Sequence, residues 1–579
     1  MGQRTIFGQP GIRSYGEILS EIFVDSVSIT EATVEDTTHM AIFLITNLVL
    51  ITPLLVVWAS LPLLAVLPVV FVGYFVYAYR TKRLSAGLLS GFFVLSIFGA
   101  NVPLLSGPGK AYFSIYIVDL LAVVLVSGLI YQNGLNWSSI HESKLKTVAV
   151  LGLLTFVCWS YASAIVGNGP SQFASVLFAM QQTRYLLVFV VTIFIVNQTS
   201  VFVCLYPLLL SITGNLFYAV AEALAGHTFG LTYLGDAGGR ELFELAIGPL
   251  TLPTGLYAGG FVGGVRELIA LTLLLLPFLV YWGVYGSRRV TTASALGILS
   301  VVFIIKIGET DAGWMASIIV LALTAAMWLW ISVSERDFDL LAGVAVSVSS
   351  IVASMLLYQQ RFYDFFAADS QEPATGTSNG TTGGNATGTP TGASGNATGG
   401  TGGSSGDGGM SVAEWVIELF SYVPLVEVDT LGVRLSQYAA AIELLLAYPF
   451  FGIGGYNFVL VAEEYGVPSA MGVHNTFFSH LAATGIIGVV SYSVSVLAVV
   501  YIVIKQMLQT RTRRRALWGC TLAGLMGFHA YSFWVVIYGW QTSNVGLWLL
   551  SGIAVGAFSV VSSEDEEQQT SESSVPYVS

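Results

Sequence analysis

The chain has 579 residues, 55% of them hydrophobic and only 10% charged, whereas soluble domains carry about a quarter charged residues. This excludes a cytosolic enzyme, a nucleic-acid binder with a basic face and a disordered scaffold, and leaves an integral membrane protein built from many apolar helices. The net charge of -12 is concentrated at the two ends, which read as solvated tails.

Residues 1–38 form the first of these tails, with Glu17, Glu21, Asp25, Glu31, Glu35 and Asp36. They hold no apolar signal region, so the first span is expected to act as the insertion signal. Apolar runs follow at 39–59, 62–79, 84–100, 111–131, 147–166, 184–200, 202–224, 256–285, 290–307, 312–333, 338–358, 485–506, 515–536 and 543–562. Each is long enough, or nearly so, to cross a hydrocarbon core of ~30 Å as a helix. None shows the alternation of a barrel strand. The expected fold is all-α, a polytopic membrane protein with about fourteen transmembrane helices. It divides into an N-terminal bundle (39–358), a large external loop (359–473), C-terminal helices (474–562) and a second acidic tail (563–579).

The basic residues fall in alternate loops: Arg80, Lys82 and Arg83; Lys144 and Lys146; Arg288 and Arg289; Arg511, Arg513, Arg514 and Arg515. The positive-inside rule places those loops and both termini in the cytoplasm of a multi-pass cell-membrane protein. Segments 225–255 and 359–473 are then external. Within the latter, 370–409 is a Gly/Thr/Ser tether that cannot bury a core. Its three N-x-T sequons, Asn379, Asn385 and Asn396, are candidate glycosylation sites. Those at Asn136 and Asn197 fall in cytoplasmic turns and should stay bare. Residues 411–473 regain helical pattern, at Ser411–Phe420 and about Leu435–Leu446, and read as a folded cap. Cys158, Cys204 and Cys520 lie in apolar runs without ligand spacing, so neither a disulfide framework nor a zinc site is expected.

The densest polar information lies in 431–488. Arg434 precedes a short helix, which is followed by Tyr448-Pro449-Phe450-Phe451-Gly452-Ile453-Gly454-Gly455-Tyr456-Asn457-Phe458. Then come His474-Asn475-Thr476-Phe477-Phe478 and Gly485-Ile486-Ile487-Gly488. A guanidinium offers a fixed fork of donors to phosphate oxygens, glycines let backbone N–H groups approach an anion, and a neutral imidazole can take a proton from a hydroxyl. The plain alternatives are that His474 caps a helix, that Arg434 snorkels toward head groups and that the glycines merely turn the chain.

This ordered set resembles the O-antigen ligase and O-antigen polymerase superfamily, whose pattern runs Arg, P-x-x-G-x-G-x-x-N-[FY], an external loop, H-N-x-x-L and G-x-x-G. The matching residues are Arg434, Pro449, Gly452, Gly454, Asn457, His474, Asn475, Gly485 and Gly488. Two departures stand out. Ala483 replaces a frequent carboxylate, and Thr310-Asp311-Ala312-Gly313-Trp314 lacks the Arg of an S-R-G-like element that commonly opens a middle helix. The resemblance implies a GT-C-like helical bundle and a metal-independent membrane glycosyltransferase with no cofactor. Its donor would be an oligosaccharide on a polyprenyl (pyro)phosphate, its acceptor a hydroxyl of a glycan, glycolipid or glycoprotein on the external face, with no nucleic-acid partner. His474 is then the expected base and Arg434 the expected stabiliser of the departing phosphate. Arg266, Lys306, Arg184, Gly452, Gly454, Asn457 and Asn475 are the expected substrate-binding residues. Arg240, with Glu241 and Glu244, reads as a solvated loop face, and His480 as packing. The rival reading is a secondary transporter or flippase for a lipid-linked oligosaccharide or small solute, which internal repeats and midplane charges would favour. No two-fold repeat is visible, and the candidate polar residues gather at one face.

Overall fold

Long runs of Leu, Val, Ile, Ala and Phe can satisfy their backbone groups in an apolar medium only by coiling on themselves, and in the computed structural model they do. The structure describes residues 92–99, 101–108, 111–116, 118–123, 125–126, 138–198, 201–229, 241–242, 245–247, 250–252, 255–256, 259–262, 264–308, 310–357, 428–467, 472–535 and 541–573. The runs 39–59 and 62–79, the sequons at Asn136, Asn379, Asn385 and Asn396, Arg240 and the Ser411–Phe420 pattern lie outside them.

The principal helices are α1 (Lys144–Val166), α2 (Gln172–Gln198), α3 (Val201–Ala225), α4 (Val265–Tyr285), α5 (Arg288–Ile307), α6 (Asp311–Glu335) and α7 (Leu341–Leu357). Further along the chain come α8 (Val428–Ala447), α9 (Thr476–Gln509), α10 (Thr512–Trp534) and α11 (Gln541–Ser573). Among the described residues, 7 helices, α1 to α6 and α9, are long and apolar enough to cross a membrane. Four expected runs are corrected, among them 256–285, whose helix begins only at Val265. The run 111–131 opens as a strand, because Asn101–Ser106 (β1) and Tyr112–Tyr116 (β2) pair antiparallel. The run 184–200 belongs to a helix that begins at Gln172, and the run 485–506 to one that begins at Thr476. Two more short antiparallel pairs lie between residues 241 and 256.

Close approach holds the helices together where apolar side chains alone would gain little over lipid. α1 lies along α9 so tightly that a Cβ on Gly152 would stand 2.9 Å from Ser495 N, and Ser495 Oγ donates to Ala149 O at 2.7 Å. α2 meets α11 in the same way, through Gly552 against Thr192 and Gly556 against Val196. A second apolar cluster, with Leu435, Tyr438, Leu444, Ile453, Phe458 and Val473, joins α8 and the glycine turn to the start of α9.

The two ends of the bundle differ in chemistry. At one end Arg515 pairs with Glu335 at 2.9 Å, Arg513 lies over the Tyr285 ring, and Lys146 Nζ donates to Asn197 Oδ1 at 3.3 Å. The Asn197 sequon is thus turned onto protein. At the other end Tyr531 OH donates to Arg266 O, joining the end of α10 to the start of α4. Tyr438 OH is shared between His474 O and Phe533 O. Among the described residues, the basic residues Lys146, Arg513 and Arg515 therefore occupy the end opposite His474.

Candidate functional site

The site rests on a break in a helix. Gly485, at φ 64° and ψ −167°, interrupts α9 between residues 476–484 and 486–509. In an unbroken helix the N–H groups of 486, 487 and 488 would bond to the carbonyls of 482, 483 and 484. Here those carbonyls are taken by other segments. Ile453 N and Gly454 N donate to Ala482 O and Ala483 O, both at 2.9 Å. Ser163 Oγ donates to Ala483 O at 2.8 Å, and Trp159 Nε1 to Thr484 O at 3.1 Å and Phe450 O at 2.9 Å. Ile486 N–H in turn reaches Pro449 O at 2.9 Å. The glycine turn thus slots into the gap, as backbone satisfaction in a dry setting requires. Gly452 and Gly454 make this possible with φ of 63° and 81°, values that side-chain-bearing residues rarely adopt.

Asn457 clamps the turn. Its Nδ2 donates to Ile453 O at 2.7 Å, Ser175 Oγ at 2.8 Å and Ser171 O at 3.2 Å, while its Oδ1 accepts from Ser171 N at 3.0 Å. With all its hydrogen-bonding capacity directed at protein, buried Asn457 builds the site. Asn475 is the N-cap of α9, its Oδ1 accepting from Phe478 N at 3.0 Å, while its buried Nδ2 has no hydrogen-bond partner among the described residues.

On the upper segment stands His474. Its backbone N–H and its ring Nδ1 both meet Gln437 Oε1, each at 2.9 Å. The next residue on α8, Tyr438, bonds to His474 O at 3.2 Å and stacks on Phe478 at 4.8 Å. Arg434 lies three and four residues before Gln437 and Tyr438, one helical turn away on the same face. Burial first, then the Arg434 charge and the Arg266 charge, hold the His474 imidazole below its ordinary pKa. Arg434 is half-buried and Arg266, at the start of α4, is exposed. The structure therefore brings His474, Arg434 and Arg266 into one electrostatic neighbourhood. The result is a neutral imidazole in a cationic field, suited to an anionic ligand and to accepting a proton.

Lys306 shares this end, in the last turn of α5, where Gly308 packs against Ile269 and Val265. Arg184 does not join the His474 group. It lies in the middle of α2 rather than at a helix start, buried, with Asp119 at 2.6 Å and further bonds to Gln541 Oε1 and Ser114 O. The rings of Tyr116 and Phe113 lie 4.8 and 5.1 Å from its guanidinium carbon. Its role is to tie β2 to α2 and α11. His480 packs among Phe156, Phe178 and Tyr492. The residue that sequence reasoning passed over is Gln437, a lone amide inside a helical pattern. Among the described residues no group of three or more His, Cys, Asp or Glu could hold a metal ion.

Residues 286–493 match a family model described as O-antigen ligase. The matched stretch takes in Arg434, Gln437, the glycine turn, His474 and the break at Gly485, while Arg184 and Arg266 lie before it. No curated protein matches the chain.

Proposed function

With residues 286–493 carrying an O-antigen ligase domain, which supports placing the chain in the O-antigen ligase and polymerase superfamily, we propose that it transfers an oligosaccharide from a polyprenyl (pyro)phosphate carrier to an acceptor hydroxyl at the external face. The observation that carries this reading is the placement of His474, held by Gln437 and Tyr438 of α8 one helical turn from Arg434, at the bundle end opposite the basic residues Lys146, Arg513 and Arg515.

In this mechanism Arg434 and Arg266 receive the phosphate oxygens of the donor, with Lys306 at the same end. The acceptor oxygen attacks the anomeric carbon, and its proton passes to His474. The bond from that carbon to the phosphate oxygen breaks with inversion, and the carrier leaves as its (pyro)phosphate. The cations stabilise the charge that grows on the departing oxygen, the term that usually contributes most in a site of this kind. A bound phosphate also offsets the cationic field, so the imidazole gains basicity when the donor is in place.

The transporter reading draws on one feature, the discontinuous helix α9, since broken helices line many transport sites. Here, however, the carbonyls released by the break are filled by the glycine turn, Ser163 and Trp159.

The test is transfer in vitro from a purified lipid-linked oligosaccharide to candidate acceptors by the full-length protein in detergent. Wild type should yield product and His474→Ala should lose it by about a hundredfold or more, with the variant still folded. A ladder of products identifies a polymerase and a single added block a ligase. Undiminished transfer by His474→Ala removes the mechanism.

A further inference from the structure

The contact between Gln437 and His474 goes beyond what the mechanism has used. The Gln437 side chain is fully buried. Its Oε1 faces the His474 backbone N–H at 2.9 Å, a donor that cannot change role, so the orientation of the amide is fixed: oxygen toward histidine. The same oxygen lies 2.9 Å from the ring Nδ1. A carbonyl oxygen only accepts, so Nδ1 must carry the proton, and the lone pair of the neutral ring resides on Nε2. Tyr438 holds the His474 carbonyl from the next position on α8, so both sides of the histidine's main chain are pinned by one helix.

We infer that Gln437 is the positioning residue of this site: its amide oxygen locks His474 as the Nδ1–H tautomer, so that Nε2 is the atom offered to the acceptor hydroxyl. The inference rests on the transferase reading for its catalytic meaning, while the tautomer lock stands on geometry.

The identity of the side chain matters as well as its position. A carboxylate could accept the same two bonds, but its negative charge would oppose the Arg434 and Arg266 charges that act on the ring. The neutral amide orients the imidazole and leaves both guanidinium groups available to a phosphate. The phenol of Tyr438 also meets the histidine, through its carbonyl oxygen.

The test compares wild type, Gln437→Glu, Gln437→Leu and His474→Ala in the full-length protein. Two readouts are used: transfer from a purified lipid-linked oligosaccharide, and carbethoxylation of His474 by diethyl pyrocarbonate against pH, followed by peptide mass spectrometry. The reagent attacks only the unprotonated ring, so its pH profile reports the imidazole without any need for turnover. Gln437→Glu should move that profile to higher pH by about one unit and keep transfer, with a raised KM for the donor. Gln437→Leu, with no acceptor oxygen, should lose transfer by about tenfold or more through kcat while eluting as folded protein.

An unshifted profile in Gln437→Glu, or wild-type kcat in Gln437→Leu, overturns the assignment of Gln437. Should Gln437→Leu fail to fold, the Gln437→Glu profile decides alone. A shifted profile together with full transfer by His474→Ala overturns the base assignment, and only the contact survives. An unshifted profile with inactive His474→Ala overturns Gln437 and leaves the transferase reading intact.

Discussion

Replacing Gly485 by alanine tests the break in α9 directly. The glycine occupies φ 64°, ψ −167°, a region that residues with a Cβ enter at a cost of about 1–3 kcal/mol. An added Cβ would also lie 2.5 Å from the Phe450 carbonyl oxygen and 2.6 Å from that of Pro449, an overlap worth about 1–3 kcal/mol more. The chain could escape by straightening, with Ile486 N–H returning to Ala482 O. That move evicts Ile453 N–H and then Gly454 N–H from their acceptors, and each buried donor left without a partner costs about 1–3 kcal/mol. Both routes arrive at a loss of about 2–6 kcal/mol. The measurement is reversible unfolding of the purified full-length protein in a denaturing detergent titration, with protease cleavage between Pro449 and Asn457 as a local probe. Gly485→Ala should unfold earlier and expose the turn. An unchanged midpoint with a protected turn would refute the reasoning that the break is what holds it.

Three further outcomes follow from the same contacts. Asn457→Ala removes four hydrogen bonds and should destabilise the protein by about 2–4 kcal/mol; KM for the donor in the folded fraction should stay within about twofold of wild type, as expected for a clamp rather than a substrate ligand. In the proposed mechanism the base is the neutral His474 imidazole, so kcat should fall as pH drops through its pKa. Because the Arg434 charge lowers that pKa, Arg434→Ala should shift the acid limb of a kcat–pH profile to higher pH. Arg184→Met breaks the pair with Asp119 and should cost about 3–5 kcal/mol in a thermal unfolding assay, leaving the acid limb where wild type has it.

The sequence revealed the helices better than their interruptions. Apolar runs marked α3 to α6 within a few residues, except that the expected start of α4 came about nine residues early, because hydrophobicity and length alone dictate a span. They failed where polar groups are satisfied by distant partners. Gln181, Gln182 and Arg184 are all buried yet read as the polar edge of a span. The groups that accommodate Gln181 and Arg184, Tyr112 O, Tyr456 OH, Asp119 and Gln541, come from segments far away in the chain. Strand β2 was hidden inside an apolar run because Tyr112–Tyr116 is nearly as hydrophobic as a helix, and its partner β1 fell between two runs. At the candidate site, residue type and order singled out His474 and Arg434, and the structure places them on adjoining elements, His474 at the start of α9 and Arg434 on α8. Gln437 was not singled out, since a lone glutamine in an amphipathic helix carries no signal until the histidine is seen to face it. Asn457 and Asn475 were legible as important but not as scaffold, because spacing does not tell which partner an amide chooses.

The interruption at Gly485 also separates two mechanical lengths. Residues 486–509 alone, at 1.5 Å per residue, reach about 36 Å, enough to traverse a bilayer unaided. The nine residues on the other side of the break, 476–484, follow directly on His474 and Asn475 and are fastened to α8 and the glycine turn. The lower rod lies along α1 through Ser495 and Ala149, and the same α1 supplies the Ser163 and Trp159 that fill the break, so one helix sets both lengths in register.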